Sequence, residues 1–356
     1  MRRMREVAVI AYAQTPMTRD AGAQNEVELI MQVVHQALDE VKLNQTDIDF
    51  TCSGSCDYLQ GVTFAFVDGL NAVSSVPPIN ESHVEMDAAW ALYESWLKIQ
   101  MEEADVALVY GFGKSSPGEL RSIMTLQLDP YYLAPLWPDS VSLAALQAKA
   151  MIDSKMITEE SMAKVVKRSR KNAKSNPNSQ LSGDFSIGDL LSEPIFVSPL
   201  RKHDCSPITD GASAIILATK EKALSLCRNP AFITSIDHRI ETAQFGYRNL
   251  TSSPSIQKSS EVINLIDYSI DAAELHAPFS HQELLLIKEL QLNEEVSINR
   301  SGGVLAGNIM MSAGLDRIGS MFNLIKSGKV RTGLAHATSG PCLQQNMLII
   351  MESKNE

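Results

Sequence analysis

The sequence predicts an α/β protein built from two halves of like order. Three observations carry this. Short apolar, β-branched runs of strand length alternate with amphipathic helical stretches, the same order returns in the second half, and residues 115–193 between them break the alternation. With 356 residues, 44% apolar and 21% charged, the chain is long enough for two fused halves, each with its own core.

Residues 6–12 are apolar and β-branched after Glu6 and run into Thr15-Pro16, which predicts a buried strand ending in a turn. Residues 27–43 place Val27, Ile30, Met31, Val34, Ala37, Leu38 and Val41 at helical spacing. Residues 47–52 read as a second strand. The next helix, residues 86–101, crowds Ala88, Ala89 and Ala91 into its first turns beside Leu92, Trp96 and Ile99. Such small side chains let a helix pack on several sides, so it is expected at the centre. Residues 105–110, apolar without a break after Asp105, then close in Gly111-Phe112-Gly113, the pattern of a strand buried on both faces.

Residues 115–193, rich in Ser, Pro, Asn and Lys, are expected to be an inserted loop domain lying over one end of the sheet. The first half is then residues 1–114 with 194–225, and the second is residues 226–356. In that second half, residues 231–236 read as a strand, 259–268 as a helix, 272–276 as a strand end, and 281–292 as a helix carrying Leu284, Leu285, Ile287 and Leu290. Ser301-Gly302-Gly303 is expected to open an Ala-, Met- and Gly-rich helix running toward Ile325. Residues 332–337 and 346–351 supply the last strands.

The net charge of −11 argues against a nucleic-acid surface, which needs a broad Lys/Arg face to neutralise phosphates. The charged start, Met1 to Arg5, and the short apolar run after it do not fit a secretory signal, and no stretch approaches the ~20 apolar residues that cross a bilayer. Five scattered cysteines, Cys52, Cys56, Cys205, Cys227 and Cys342, fit a reducing cytoplasm better than a disulfide framework. Cys52 and Cys56 lack a second ligand pair, so no metal is expected.

Several segments resemble the thiolase superfamily. Asn299-Arg300-Ser301-Gly302-Gly303-Val304-Leu305-Ala306-Gly307 is similar to the thiolase stretch Asn-x-Ser-Gly-Gly-x-x-x-x-Gly-His-Pro. Asp210-Gly211-Ala212-Ser213-Ala214 resembles the Asp-Gly-Ala-x-Ala after the thiolase insertion, and Lys171-Asn172-Ala173-Lys174-Ser175-Asn176-Pro177 the Lys-Asn-x-x-x-Asn-Pro within it. Leu275-His276-Ala277-Pro278-Phe279-Ser280 with Glu283-Leu284 resembles the His-Asp-Cys-Phe-Ser plus Glu-Leu signature of the sterol-carrier-protein branch. The resemblance spans nearly the whole chain and implies a duplicated βαβαβ fold, a five-layer αβαβα sandwich.

The sequence departs from the family at its reacting groups. Where a Claisen thiolase places its nucleophilic cysteine before the central helix, this chain has Glu85, within His83-Val84-Glu85-Met86-Asp87. The histidine of Gly-His-Pro corresponds to Asn308, the cysteine of the branch signature to Pro278, and the late Cys-x-Gly segment to Ser339-Gly340-Pro341-Cys342, its thiol displaced by two positions. What the resemblance leaves is a pocket that polarises a thioester carbonyl without a covalent acyl carrier. It implies retro-aldol cleavage of a 3-hydroxyacyl-CoA, with a steroid or other bulky side chain, as in thiolase-like aldolases that shorten steroid side chains. Two alternatives stand beside this lyase. One is a thiolase or acyltransferase using another thiol such as Cys342; the other is a non-catalytic lipid-binding or scaffold subunit, in keeping with the name lipid-transfer protein carried by some of the family.

By position, His276 is the expected donor to the thioester oxygen and Asn308 a second donor. Glu85 is expected as base or water-orienter, with His83 beside it, and Asp87 as a helix cap. Tyr131 and Tyr132 are placed in the insertion roofing the pocket, as proton relays or as packing, and His336 and Cys342 near the last strand turn. Lys164, Lys167, Arg168, Arg170, Lys171 and Lys174 form the dense basic run, either a solvated helix face or the site of the CoA phosphates, to which Ser301 and Gly302 are added. His203 and Cys205 read as architectural. Coenzyme A is expected as part of the substrate, with no tightly bound cofactor. The family likeness implies a homodimer joined to a small OB-fold, acyl-CoA-associated partner protein.

Overall fold

Ten strands join into one hydrogen-bonded sheet whose two halves have the same topology. The first half supplies β1 (Val7–Gln14), β2 (Phe50–Gly54), β3 (Glu81–Val84), β4 (Val106–Gly113) and β5 (Gly211–Thr219); the second supplies β6 (Ala231–Ile240), β7 (Ala272–Leu275), β8 (Ser297–Ile298), β9 (Thr332–Ser339) and β10 (Gln345–Ser353). Across the sheet the order is β8-β7-β9-β10-β6-β1-β5-β4-β2-β3. Within each half the strands therefore lie third, second, fourth, fifth, first. In each half, too, the second strand is parallel to the third and fourth, and the fifth antiparallel to the fourth and first. The duplication expected from the sequence is thus present in full. The two first strands meet at the centre, antiparallel, where Val7–Val9 pair with Ala231–Ile233.

This computed structural model describes residues 4–73 and 79–354; of the charged amino-terminal stretch, Met1, Arg2 and Arg3 lie outside the described residues. The helices are α1 (Glu26–Val41), α2 (Asp57–Gln60), α3 (Phe66–Ala72), α4 (Ala88–Gln100), α5 (Leu120–Leu126), α6 (Ser140–Asp153), α7 (Glu159–Ala173), α8 (Ile187–Ser192), α9 (Lys220–Leu226), α10 (Pro254–Val262), α11 (Ser280–Glu289) and α12 (Ala313–Lys326). Helix α1 covers β1, β4 and β5, and α10 rests on β6 and β10. Helices α4 and α12 pack on each other, and α12 touches strands of both halves, which makes them the central layer of five. None of the described helices is long and apolar enough to cross a membrane.

Small residues decide how closely the central layer approaches the sheet. Ala88, Ala89 and Ala91 are buried on α4. At Gly111, near the end of β4, an added Cβ would lie 2.6 Å from Ala88 Cβ and 2.7 Å from the Met311 carbonyl oxygen. A side chain there would push both central helix termini away. Asp87 joins those termini: its carboxylate accepts from the Ala89 N–H of α4 at 2.8 Å and from the Gly314 and Leu315 N–H groups of α12 at 2.8 and 3.2 Å. The expected cap of one helix is a cap of two.

Three expected elements shift. Residues 45–47 form a 3₁₀ turn with Asn44 before it, so the second strand begins only at Phe50. The helix expected over 259–268 is Pro254–Val262, because proline suits a first helical turn and Asn264, at φ 51°, ends the run. The helix expected from Ser301 begins at Ala313 instead. Asn299, Gly302, Gly303 and Met311 have φ of 48°, 97°, 64° and 68°, and that left-handed backbone forbids an α-helix between them.

Candidate active site

A cavity of about 440 Å³ opens at the carboxyl ends of β3, β7 and β9. Its wall takes Glu85 and Asp87 from the β3–α4 turn, His276 just past β7, Thr338 to Leu343 from the β9–β10 turn, and Asn308 from a short strand paired with Ile208–Thr209. Helices α5 and α6 close it with Leu120, Met124, Val141 and Leu143. The wall is largely apolar with few polar groups, as a small-molecule site requires.

His276 is 6% exposed. Leu275 pairs with His336 across β7 and β9, so Thr338 lies level with the imidazole two residues on, and its N–H donates to His276 Nδ1 at 3.4 Å. A neutral imidazole accepting at Nδ1 carries its proton on Nε2. Burial, then the neighbouring His336 and Arg317, hold the His276 pKa well below the ordinary histidine value. The ring is therefore a neutral donor, suited to an oxygen that gains negative charge. Asn308 is buried and donates from Nδ2 to Ser206 Oγ at 3.0 Å, while its Oδ1 has no partner.

Glu85 stands on the cavity wall, exposed, and its Oε1 accepts the Asp57 N–H at 2.6 Å. Asp57 in turn accepts from the Phe64 and Ala65 N–H groups, both at 2.9 Å. Glu85 therefore fastens the segment 57–65 to the rim. Burial raises the pKa of Asp87 despite its three N–H donors, the two helix caps being the smaller influence.

Three thiols line the cavity, and none is activated. Burial pushes Cys342 and Cys205 up to about 12 and Cys56 up to about 11. Cys342, 6% exposed, points its Sγ at the Leu143 carbonyl 3.4 Å away. A nucleophile needs the thiolate, which these sites disfavour. Iodoacetamide at neutral pH is accordingly expected to leave Cys342 unmodified in the folded chain, and Cys342→Ser to retain activity; peptide mass mapping after labelling checks the first, and rapid labelling with loss of activity would reverse the assignment.

The other sequence-derived residues lie elsewhere. Tyr131 and Tyr132 are 82% and 59% exposed and do not line the cavity, which corrects the relay role expected of them; the part of the insertion that reaches the cavity is α5 and α6. His336 is fully buried behind the wall, its Nε2 3.0 Å from Asn346 Oδ1, and burial brings its pKa down to about 4. His83 stacks on Phe66, their ring centroids 3.7 Å apart, and His203 faces Asp204.

The basic run follows α7 to Lys174 at its carboxyl-terminal cap, and none of it lines the cavity. Lys164, Lys167, Lys171 and Lys174 are exposed; Lys164 pairs with Glu160 at 2.8 Å and Lys174 with Asp184. Arg168 pairs with buried Glu283, and Arg170, itself buried, donates to the Leu305 carbonyl. Both guanidinium groups spend donors inside the protein, which corrects the phosphate-binding expectation for them. Ser301 is corrected likewise: its N–H and hydroxyl donate to Glu274 at 2.9 and 2.6 Å, and its oxygen accepts from Arg317 at 2.6 Å. Gly302, at φ 97°, is a packing point, since an added Cβ would lie 2.7 Å from Ala173 Cβ of α7. Thr338 and Ser206, which fix the His276 tautomer and hold Asn308, belong to no motif, so the sequence carries no signal for them. Among the described residues no group of three or more His, Cys, Asp or Glu side chains is placed to hold a metal ion.

No family model matches the chain. It is 24% identical to an acetyl-CoA acetyltransferase of Methanocaldococcus jannaschii over 92% of this chain and 91% of that protein. It is 25% identical to sterol carrier protein 2 of Homo sapiens over 82% of this chain, spanning 57% of that longer protein. It is also 25% identical to the 17-hydroxy-3-oxo-4-pregnene-20-carboxyl-CoA lyase of Mycobacterium tuberculosis over 64% of this chain and 61% of the lyase. Among solved structures it is similar to the Ltp2-ChsH2(DUF35) aldolase, with a TM-score of 0.82, 18% identity and coverage of 99% of this chain and 98% of that one. Human mitochondrial 3-ketoacyl-CoA thiolase gives a TM-score of 0.78 at 18% identity, covering 98% of this chain and 99% of the thiolase.

Proposed function

We propose that this chain, which belongs to the thiolase superfamily, has the thiolase fold and is similar to the sterol-carrier-protein branch, is a carbon–carbon lyase acting on a 3-hydroxyacyl-CoA. The observation that carries the reading is the pairing of a neutral Nε2–H donor, His276, with three cavity thiols that burial keeps protonated. Such a site stabilises an enolate and does not form an acyl-enzyme. A base takes the 3-hydroxyl proton, the Cα–Cβ bond breaks to give a ketone or aldehyde, and its electrons pass into the thioester as an enolate. That oxygen is held by His276 with Asn308 beside it until Cα is protonated. The apolar walls from α5 and α6 suit a bulky side chain.

Glu85 is the carboxylate assigned as base. Glu85→Gln keeps an oxygen for the Asp57 N–H while removing the charge, so it separates the base from the latch. Turnover is expected to fall sharply with folding intact; a wild-type rate would leave Glu85 as a latch only.

The aldolase neighbour is described with a DUF35 partner, and the lyase relative is named for a steroid-type CoA ester. On that likeness the chain is expected to work with a DUF35-type partner, and the family resemblance adds the expectation of a homodimer and of a small OB-fold in that partner. The archaeal relative's name favours acyl transfer instead, against which stand the raised thiol pKa values. Co-expression with neighbouring genes and mass-spectrometric assay of 3-hydroxyacyl-CoA decides between them. Cleavage without free CoA supports the lyase, a strict need for free CoA supports thiolysis, and no turnover with any partner supports a binding subunit.

A further inference from the structure

The basic side chain on the cavity wall is not in the run that the sequence offered. Arg121, the second residue of α5, is the only Lys or Arg among the described residues that line the cavity, and its side chain is 52% exposed, which places it where the cavity meets solvent. Its guanidinium is already held in place. Nη2 donates to Asp139 Oδ2 at 2.5 Å, and the guanidinium carbon sits 5.6 Å from the centroid of the Phe196 ring. Asp139 is fixed in turn, because it caps α6 by accepting the Ser142 N–H at 2.9 Å. Only one of the five guanidinium N–H groups is engaged in these contacts; among the described residues the remaining fork has no hydrogen-bond acceptor. The two acids on the cavity wall, Glu85 and Asp87, are bonded to the Asp57 N–H and to the two helix termini respectively, so neither is Arg121's partner.

We propose that Arg121 is the anchor for an oxyanion on the CoA-ester ligand, a specificity-determining contact at the cavity mouth. The inference rests on the CoA-ester reading of this cavity. A fork stacked on an aromatic ring and tethered at one nitrogen loses little further freedom on binding a phosphate or carboxylate, which is the advantage of arginine over lysine at such a site. A CoA ester carries that chemistry at two places: the phosphates of its nucleotide end, and a carboxylate where the acyl chain bears one.

The two sources are told apart by titration calorimetry of the full chain with coenzyme A and with adipoyl-pantetheine, which has a terminal carboxylate and no phosphate. Arg121→Gln is expected to weaken one of the two by about ten-fold, and Arg121→Lys to lose less, because charge remains while the fork does not. Loss on coenzyme A alone assigns the phosphates, and loss on adipoyl-pantetheine alone assigns the carboxylate. The difference between wild type and Arg121→Gln is expected to shrink at high salt, since the contact is half-exposed. Equal affinities of wild type and Arg121→Gln for both probes overturn the proposal and leave the lyase reading standing. A wild-type chain that binds neither probe overturns the CoA-ester reading, and this contact with it.

Discussion

His276→Ala is expected to lower turnover of a 3-hydroxyacyl-CoA by about 100- to 1,000-fold, the range measured for loss of one oxyanion donor. The reason is local. The Thr338 N–H occupies Nδ1 and so fixes the ring proton on Nε2, and the ring is held neutral by burial and by the charge of Arg317. A donor aimed at a developing oxyanion stabilises the transition state more than the ground state, so the loss falls mainly on kcat and less on KM. His276→Gln, which restores an amide donor of similar reach, is expected to recover part of the rate. Steady-state kinetics on the two variants, with circular dichroism to confirm folding, checks this. A wild-type rate for His276→Ala removes the residue from the site.

Arg317→Leu is expected to cost about 3–5 kcal/mol of stability, because it leaves a buried carboxylate without its partner. Arg317 and Glu274 are 2% and 0% exposed at their side chains and lie 3.0 Å apart, with the Ser301 hydroxyl bridging them. The pair joins α12 to β7, two residues before His276, so the central helix and the candidate donor share one anchor. Glu274→Leu combined with Arg317→Leu is expected to regain much of the loss, since no unpaired charge then remains buried. Urea denaturation of the single and double variants reads the difference. A double variant no more stable than Arg317→Leu alone would show that packing, and not charge, sets the cost.

The duplicated fold was legible because each strand buried on both faces is a continuous apolar run, and because the order of runs is repeated. Strand β4 is the clearest case, every one of its residues being buried. What misled was the stretch from Asn299 to Ser312. Its composition suits a helix, while its path is set by four left-handed residues and by the ion pair that captures Ser301, neither of which shows in apolar periodicity.

The candidate site was legible at Glu85, His276, Asn308 and Cys342, which all line the cavity, because each sits at the end of a recognisable strand or in a family motif. The basic run on α7 was not. A one-dimensional cluster of Lys and Arg gives no sign of which members face a carbonyl or a buried glutamate across the helix, as Arg170 and Arg168 do. Arg121 carried the opposite signal: a single arginine in a heptapeptide with no other charged residue, whose importance depends on Asp139 and Phe196 reaching it from elsewhere in the chain.

Cleavage in this cavity is expected to pass through no covalent intermediate, and intact-protein mass spectrometry during turnover tests that most directly. With a 3-hydroxyacyl-CoA that is being cleaved, the quenched chain is expected at its unmodified mass while a ketone or aldehyde and a shortened CoA ester accumulate without added CoA. An acyl adduct on Cys56, Cys205, Cys342 or any other side chain would contradict it.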